Sequence, residues 1–257
     1  MGILEGKNIL VTGVTHKTSI AYQVAKIAQE EGATVIVSNF GRALSLTNRV
    51  VKALDPVPPV IELNVTEEQA LAALPDVLRA NGFDTIDGVV HSIAFANPET
   101  ALGGGFLTTP WEDVATSLKV SSYSLASLTM ACKPLFSDDV SVVGLSFDGR
   151  ISWPTYDWMG VAKAALESTS RYLARYLGPE GVRCNIIAAG PLDTIAKKAI
   201  PGSNTFNDVW DDRAPLGWDL QDAVPTAKGV VALLSDWFPK TTGEMIHVDG
   251  GVHSMGA

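Results

Sequence analysis

Tyr156 and Lys163 are the residues of this chain whose types and spacing most directly suggest chemistry. Seven residues make almost two helical turns, so both side chains lie on one face of a predicted helix, about 10 Å apart along its axis. A lysine there can hold the ribose hydroxyls of a nucleotide. Its charge would favour hydrogen bonding and proton transfer by the phenol, whose unperturbed pKa is about 10. The alternative is a buried tyrosine beside a lysine that carries its charge to the surface.

A second candidate is the turn from Gly13 to Ala21, which follows a predicted strand and opens a predicted helix. Free backbone N–H groups at such a helix start can bind a pyrophosphate. Gly13 permits the tight turn, and Ser19 can cap the helix while its hydroxyl faces a phosphate. The glycines of the G-x-G-x-x-G pattern are missing, so the turn taken alone fits an ordinary strand-to-helix connection equally well.

Further candidates follow predicted strands two, three and four, at the strand ends where ligands bind in open α/β sheets. Phe40 could pack on an adenine ring, and the amide of Asn64 with the backbone N–H of Val65 could pair with the adenine edge. Ser92-Ile93-Ala94 follows the fourth strand, where a small alanine would let a ribose approach. Taken singly, each of these residues fits plain packing as well.

The turn after the sixth predicted strand reads Ala189-Gly190-Pro191-Leu192-Asp193-Thr194. Its carbonyls and its hydroxyl could hold a carboxamide, or it is a plain turn into a loop. The segment from Gly190 to Leu220 has no clear periodicity, and long loops of this kind often act as lids. We expect a substrate lid over about 191–220, in which Ile195, Ala199 and Ile200 have helical spacing and could present an apolar side to a ligand. An ordinary packed helix is the alternative.

These candidates need a framework that brings strand ends together, and hydrophobic periodicity predicts one. Short apolar runs predict seven strands, at Asn8–Val11, Thr34–Val37, Val60–Leu63, Gly88–His91, Val140–Leu145, Val182–Ala188 and Glu244–Val248. Helical spacing predicts helices over Ile20–Ala28, Glu67–Ala80, Trp111–Cys132, Trp158–Leu177 and Asp222–Ser235. Strands that alternate with helices imply βαβ units. We predict an α/β fold: a single Rossmann-type doubly wound domain over residues 1–257, with a seven-stranded parallel sheet flanked by helices.

Composition excludes several classes of protein. The chain has 257 residues, of which 46% are hydrophobic and 18% charged, enough for a sizeable core. A net charge of −9 argues against a nucleic-acid partner. Cys132 and Cys184 form no CxxC motif, so we expect no metal site. We find no apolar run of membrane-spanning length and no secretory signal pattern at Met1–Lys7, and we expect a cytoplasmic protein.

Taken in order, the motifs resemble the short-chain dehydrogenase/reductase superfamily. Three details narrow the resemblance: the Gly-x5-Ser-Ile-Ala turn, the Tyr-x6-Lys pair within Tyr156–Glu167, and the closing Leu233-Leu234-Ser235-Asp236-Trp237. Together they are similar to the FabI-type enoyl-acyl-carrier-protein reductases, particularly the mycobacterial-type branch, over essentially the whole chain. The resemblance implies a homotetramer that uses NADH to reduce trans-2-enoyl thioesters of acyl carrier protein in fatty-acid synthesis.

The resemblance also implies roles for individual residues. The cofactor would be held by Gly13, Ser19, Ile20, Phe40, Asn64, Val65, Ser92, Ile93, Ala94, Lys163, Gly190, Pro191, Leu192 and Thr194. Catalysis would fall to Tyr156, which would hydrogen-bond the thioester carbonyl, and to Lys163, with Phe147 as the aromatic beside the substrate. The substrate would contact Phe147, Tyr156, Met159, Ile195, Ala199 and Ile200. Two departures stand out: Asn64 replaces the usual aspartate, and the lid is shorter than in long-chain mycobacterial enzymes, which puts a long-acyl preference in doubt.

The sequence leaves the choice of cofactor open. No acidic residue follows the second strand in Asn39-Phe40-Gly41-Arg42. Arg42 could receive a 2′-phosphate or simply begin the next helix, so NADPH is not excluded, although the resemblance favours NADH.

Two other functions fit the sequence less well. A 3-ketoacyl or other carbonyl reductase would show Tyr-x3-Lys and a serine thirteen residues before the tyrosine, where this chain has Gly160 and Val143. A non-catalytic dinucleotide-sensing protein commonly loses the tyrosine or the lysine, and both are present here.

One adjacent basic pair, Lys197-Lys198, lies in the expected lid. Since acyl carrier proteins are acidic and this chain is itself negative, a local basic patch would help to steer the carrier. We hypothesise that both lysines form that patch, against the alternative of a solvated helix face.

Overall fold

The computed structural model describes residues 1–256. Its strands are β1 (Asn8–Thr12), β2 (Thr34–Asn39), β3 (Val60–Glu62), β4 (Ile86–His91), β5 (Phe136–Ser146), β6 (Val182–Ala189) and β7 (Met245–Val248). All pair in parallel, in the order β3-β2-β1-β4-β5-β6-β7. The central strands are apolar along their length because helices cover both faces of the sheet. The predicted Rossmann-type doubly wound domain is therefore confirmed.

The helices are α1 (Ile20–Glu30), α2 (Gly41–Val50), α3 (Glu68–Ala80), α4 (Trp111–Leu118), α5 (Ser124–Cys132), α6 (Asp157–Leu177), α7 (Ile195–Lys198), α8 (Thr205–Arg213) and α9 (Val224–Leu234). Helices α1 and α9 pack on one face of the sheet, and α3, α5 and α6 on the other. The five helices predicted from spacing are present within two residues at each end, except that a π-helical turn (Lys119–Tyr123) divides the one predicted over Trp111–Cys132.

Strand β5 starts four residues before the predicted Val140. Its extra residues pair through a register shift: Ile86 is opposite Phe136, but Gly88 is opposite Ser141. Such a bulge accommodates the unpaired residues, which include Asp138 and Asp139. Because these two residues are charged, the apolar run that predicts the strand begins only at Val140.

The carboxyl ends of the strands share one edge of the sheet, and the strand order reverses between β1 and β4. Open α/β folds bind ligands at this switch point. The segment that carries α7 and α8 follows β6 at the same edge. Within residues 1–256, no helix combines the length and the hydropathy that crossing a membrane requires.

Candidate cofactor and substrate site

A cleft of about 640 Å³ lies over the carboxyl ends of the strands. Its walls bring together most of the residues that the sequence predicted for the cofactor: Gly13, Ser19, Ile20, Phe40, Asn64, Val65, Ser92, Ile93, Ala94, Lys163 and Thr194. Gly190, Pro191 and Leu192 do not line the cleft. A second depression, of about 780 Å³, lies beside β7 and the final turn and shares no lining residue with the cleft.

The turn before α1 leaves backbone N–H groups unpaired at the start of the helix. Gly13 has φ +76°, and a Cβ there would lie 2.0 Å from the carbonyl oxygen of Ser92, so only glycine fits. The Ser19 hydroxyl caps the helix by accepting from the N–H of Tyr22 at 3.2 Å. The N–H groups of Ile20 and Ala21 donate to no group among residues 1–256 and remain open at the helix start.

The residues predicted to contact an adenine differ from the prediction in one detail. The Asn64 side chain is committed to its own loop: its oxygen accepts from Thr66, and its nitrogen donates to Glu67 at 2.8 Å. The N–H of Val65 has no acceptor among residues 1–256 and is free to pair with an adenine edge. Phe40 lies at the rim of the cleft, 44% exposed.

Glu62, which the sequence reasoning did not select, lies near Phe40. Its exposed carboxylate accepts from the N–H of Gly41 at 3.4 Å. Strand pairing sets Glu62 opposite Asn39, immediately before Phe40. Arg42 is the second residue of α2 and is exposed. The structure thus adds an acidic group beside Asn39 and Gly41, on strand three rather than directly after strand two.

Lys163 lies in the wall of the cleft and is buried. Its ammonium donates to the Leu145 carbonyl at 2.7 Å. Burial lowers the pKa of Lys163 to about 8, against the opposing effect of the Glu167 carboxylate. Glu167 is also buried, and it accepts from the Ser146 hydroxyl at 2.6 Å and from the N–H of Gly149 at 2.7 Å. The sequence analysis assigned Glu167 no role, although its spacing of four residues from Lys163 places both side chains on one face of the helix.

Tyr156 stands at the N-terminus of α6 on a strained backbone. Its neighbours Thr155 and Asp157 have φ of +62° and +42°, which non-glycine residues rarely adopt. The loop before α4 fixes both: the N–H of Gly103 donates to the Thr155 carbonyl at 2.9 Å, and the N–H of Gly104 to the Asp157 carboxylate at 2.6 Å. Burial, and to a lesser extent Glu167, raises the pKa of Tyr156 well above its ordinary value, so the phenol is neutral and can donate.

Tyr156 does not line the cofactor cleft but lies in an adjoining apolar cluster. Phe147 packs edge-on against it, with ring centroids 5.3 Å apart, and Met159 is buried in the same cluster. The half-buried Ile200 packs against this cluster. Ile195 instead lines the cleft, and Ala199 is exposed. Because α7 ends at Lys198, the helical spacing of Ile195, Ala199 and Ile200 gives no common apolar side.

The turn after β6 lies under two indole rings. A Cβ on Gly190 would lie 2.7 Å from Trp210 and from Trp218, and the Trp218 indole donates to the Pro191 carbonyl at 2.6 Å. Leu192 is buried. Thr194 borders the cleft and also caps α7.

The two adjacent lysines of α7 have different environments in the structure. Lys197 is buried; its ammonium binds the Asp193 carboxylate at 2.7 Å and the side-chain oxygen of Asn207. The hypothesis that Lys197 steers a partner is therefore wrong, because its charge is already neutralised inside the segment. Lys198 is exposed. No group of His, Cys, Asp and Glu side chains within residues 1–256 is arranged to hold a metal ion.

Comparison with known proteins gives a consistent result. A family model described as "Enoyl-(Acyl carrier protein) reductase" matches residues 13–253. The chain is 45% identical to the enoyl-[acyl-carrier-protein] reductase [NADH] of Mycolicibacterium smegmatis, covering 99% of this chain and 98% of the relative. It is 44% identical to the same-named protein of Mycobacterium avium, with the same coverage. It is 36% identical to the enoyl-[acyl-carrier-protein] reductase [NADPH] FabI of Staphylococcus aureus, covering 98% of both chains.

Proposed function

The chain belongs to the enoyl-acyl-carrier-protein reductase family of the short-chain dehydrogenases/reductases, and we propose that it uses NADH to reduce trans-2-enoyl thioesters of acyl carrier protein in fatty-acid synthesis. One observation carries this proposal: a single cleft contains both the open N–H groups at the start of α1 and Lys163, seven residues after the buried, neutral phenol of Tyr156. The mycobacterial relatives, named as NADH enzymes, favour NADH over NADPH.

The residues of the cleft fit a nicotinamide dinucleotide. The free N–H groups of Ile20 and Ala21 would bind its pyrophosphate, and Val65 with Phe40 would hold its adenosine. Lys163 would bind the ribose next to the nicotinamide. When bound, the reduced cofactor supplies a hydride for the β-carbon of the substrate.

Tyr156 would act on the thioester carbonyl. As the β-carbon is reduced, negative charge collects on the thioester oxygen, and a hydrogen-bond donor aimed at that oxygen lowers the barrier. Because burial raises its pKa, the Tyr156 hydroxyl keeps its proton and can serve as this donor. Phe147, in edge-on contact with Tyr156, would orient the phenol and flank the substrate.

Lys163 and Glu167 would hold this arrangement together. One ammonium proton of Lys163 is used by the Leu145 carbonyl, which leaves two for ribose hydroxyls. Glu167 would tie the end of β5 to α6 through Ser146 and Gly149, and would thereby set the position of Phe147, one of the two residues between them.

The segment 191–220 would form the lid of a single domain that spans 1–257. Two indoles anchor its later part, Trp210 to the Asp249 carbonyl and Trp218 to the Pro191 carbonyl. The moving part would therefore lie between Thr194 and Phe206. Hydrogen exchange there should slow when cofactor and an acyl mimic bind, and equally slow exchange with and without them would argue against a lid.

A homotetramer is supported by two regions of the surface. Tyr172 and Tyr176, one helical turn apart on α6, are 61% and 69% exposed and form an aromatic patch on that helix. Strand β7 is the last strand of the sheet and leaves an edge unpaired. A tetramer of twofold axes needs two such self-complementary interfaces. Light scattering should give four times the chain mass, and Tyr172→Glu with Tyr176→Glu should halve it; a monomer would refute this proposal.

A cytoplasmic location is supported by cysteine chemistry. Cys132 and Cys184 are both buried free thiols, as a reducing compartment allows.

A spectrophotometric assay tests the reaction itself. The purified chain should oxidise NADH when given crotonyl thioester and should leave acetoacetyl thioester unreduced. Turnover of the acetoacetyl thioester alone would assign the chain to the ketoreductases instead.

A further inference from the structure

Five aromatic rings, including that of Tyr156, form a cluster where the acyl chain of the proposed substrate would lie. Phe147 is at the centre, with ring centroids 5.3 Å from Tyr156, 5.3 Å from Phe206 and 5.5 Å from Trp210. Trp153 completes the group, 5.3 Å from Trp210. Phe206 and Trp210 are 2% and 3% exposed, so these two rings are enclosed by the rest of the protein.

The two indoles are fixed in place by the backbone. Trp153 donates its indole N–H to the Asp148 carbonyl at 3.1 Å, and Trp210 donates to the Asp249 carbonyl at 2.9 Å. Trp210 also lies against Gly190, where a Cβ would be 2.7 Å from the indole nitrogen. Moving the Trp210 ring would leave a buried donor and a carbonyl without partners, which is costly, and moving the half-buried Trp153 ring would break its bond to Asp148.

Phe206 is different because it has no polar anchor. It lies 6.2 Å from Tyr156 between ring centroids and covers the phenol on the side of α8. Trp210, one helical turn later, pins α8, so Phe206 can make room only by turning its side chain or by moving the first turn of that helix. The space it vacates is that of one phenyl ring, and the fixed indoles of Trp153 and Trp210 lie behind it.

We propose that Trp153, Trp210 and Phe206 close the acyl pocket just beyond Tyr156, so that this chain prefers short enoyl thioesters such as crotonyl over long ones such as dodecenoyl. The inference rests on the proposed enoyl reductase function. In an open apolar pocket each additional buried methylene should raise catalytic efficiency about fourfold. In this protein the methylenes of a long acyl chain that extend beyond the space of the Phe206 ring would clash with the anchored indoles of Trp153 and Trp210. The gain in catalytic efficiency is therefore lost.

The test compares crotonyl-, octenoyl- and dodecenoyl-coenzyme A as substrates of the full-length protein. We expect kcat/KM of the parent to be at least roughly tenfold lower for dodecenoyl than for crotonyl. Trp153→Ala and Phe206→Ala should each raise the dodecenoyl-to-crotonyl ratio by roughly tenfold. Phe206→Leu, which keeps an apolar side chain of intermediate size, should give a smaller change in the same direction and is the variant to use should the alanine variants not fold.

Trp237→Ala is the matched control, since it removes the same side chain at a position that is 67% exposed and outside the cluster. Its ratio should equal that of the parent. A parent that reduces dodecenoyl as well as crotonyl thioester would overturn the inference and leave the reductase function standing. So would a short-chain preference that none of the cluster variants alters. If the parent oxidises NADH with none of the three enoyl thioesters, the proposed function itself is overturned.

Discussion

The Glu167 carboxylate accepts a 2.6 Å hydrogen bond from the hydroxyl of Ser146, and through it α6 is joined to the end of β5. Gly149 strengthens this junction: its N–H donates to the same oxygen, and a Cβ on it would lie 2.3 Å from the Ala164 nitrogen. The loop that carries Phe147 is thus pressed against the helix that carries Lys163. Glu167 also provides the only negative charge that supports the Lys163 ammonium among the influences on its pKa.

The first prediction concerns pH. Burial lowers the pKa of Lys163 to about 8, and Glu167 opposes that shift. The ammonium form is the one that can hold the ribose, so kcat/KM for NADH should fall as pH rises through about 8. Glu167→Gln removes the charge and keeps an acceptor for Ser146, so the pKa of Lys163 should drop and the loss of activity should begin at lower pH.

Glu167→Ala should show the same shift of the pH profile together with a lower kcat, because Phe147 is no longer held in position. A pH profile of Glu167→Gln that matches the parent would contradict this coupling.

Substitutions of Tyr156 and of Lys163 should affect different steps, the first catalysis and the second NADH binding. Tyr156→Phe removes a donor used in the transition state, and kcat should fall roughly 100-fold or more. NADH affinity should change little, because Tyr156 does not border the cofactor cleft. Lys163→Ala should instead weaken NADH binding by roughly tenfold, since it removes a charged donor from the wall of that cleft. NADH titration by fluorescence beside steady-state kinetics separates the two, and a Tyr156→Phe protein with the parent kcat would refute the assignment.

Sequence patterning predicted the framework well and the contacts between segments less well. The seven strands were visible because buried parallel strands are apolar along most of their length, as Val182–Ala189 is. The sequence pattern did not predict helix α8 (Thr205–Arg213), because only Phe206 and Trp210 are buried in it and the Asn204 side chain makes no capping hydrogen bond. The aromatic cluster likewise forms between residues far apart in the chain, which periodicity does not connect.

Lys197 shows a signal that could have been used. Asp193 precedes it by four residues, a spacing at which opposite charges pair on a helix, and the two do pair. Glu167 shows the opposite case: its spacing from Lys163 was visible, but its partners Ser146 and Gly149 lie on another element and are brought near by the fold alone.

The choice between NADH and NADPH should depend on Glu62. Its carboxylate lies beside Gly41, next to the proposed adenosine contact Phe40, and would repel a 2′-phosphate. Glu62→Gln should raise kcat/KM for NADPH by roughly tenfold and leave that for NADH within about twofold, most clearly at low ionic strength. Glu68→Gln, which removes an exposed charge at the start of α3, is the control and should change neither value. Unaltered NADPH kinetics in Glu62→Gln would show that other residues make the selection.

Gly13 and Gly6 form a matched pair for the phosphate turn. Both have positive φ, +76° and +74°, but a Cβ on Gly13 would strike the Ser92 carbonyl at 2.0 Å, while a Cβ on Gly6 meets nothing within 4 Å. Gly6→Ala should cost about 1 kcal/mol of unfolding free energy and leave NADH binding intact. Gly13→Ala should cost about 1–3 kcal/mol and also weaken NADH binding, because the turn has to move. Denaturant melts and NADH titrations of both variants provide the measurement. Equal NADH affinity in both variants would exclude the turn from the cofactor site.

Lys197 and Lys198 are neighbours in sequence with different expected roles. Lys197 is buried and binds Asp193 at 2.7 Å and Asn207, so Lys197→Met should leave a carboxylate unpaired and loosen the segment between α7 and α8. Activity should then fall similarly on small crotonyl thioester and on crotonyl-acyl carrier protein, since both need the same lid. The double variant Lys197→Met with Asp193→Asn should recover part of the loss, because it removes the unpaired charge.

Lys198 is exposed on the same short helix, and its charge is available to an acidic partner. Lys198→Glu should lower kcat/KM for the carrier-bound substrate by roughly threefold to tenfold at low salt, with the difference fading as salt screens the attraction. Crotonyl thioester without the carrier should be turned over at the parent rate, because the substitution leaves the Lys197–Asp193 pair intact. Equal losses on the two substrates would mean that Lys198 supports the lid, and no loss on either would leave the carrier to be recognised elsewhere on the surface.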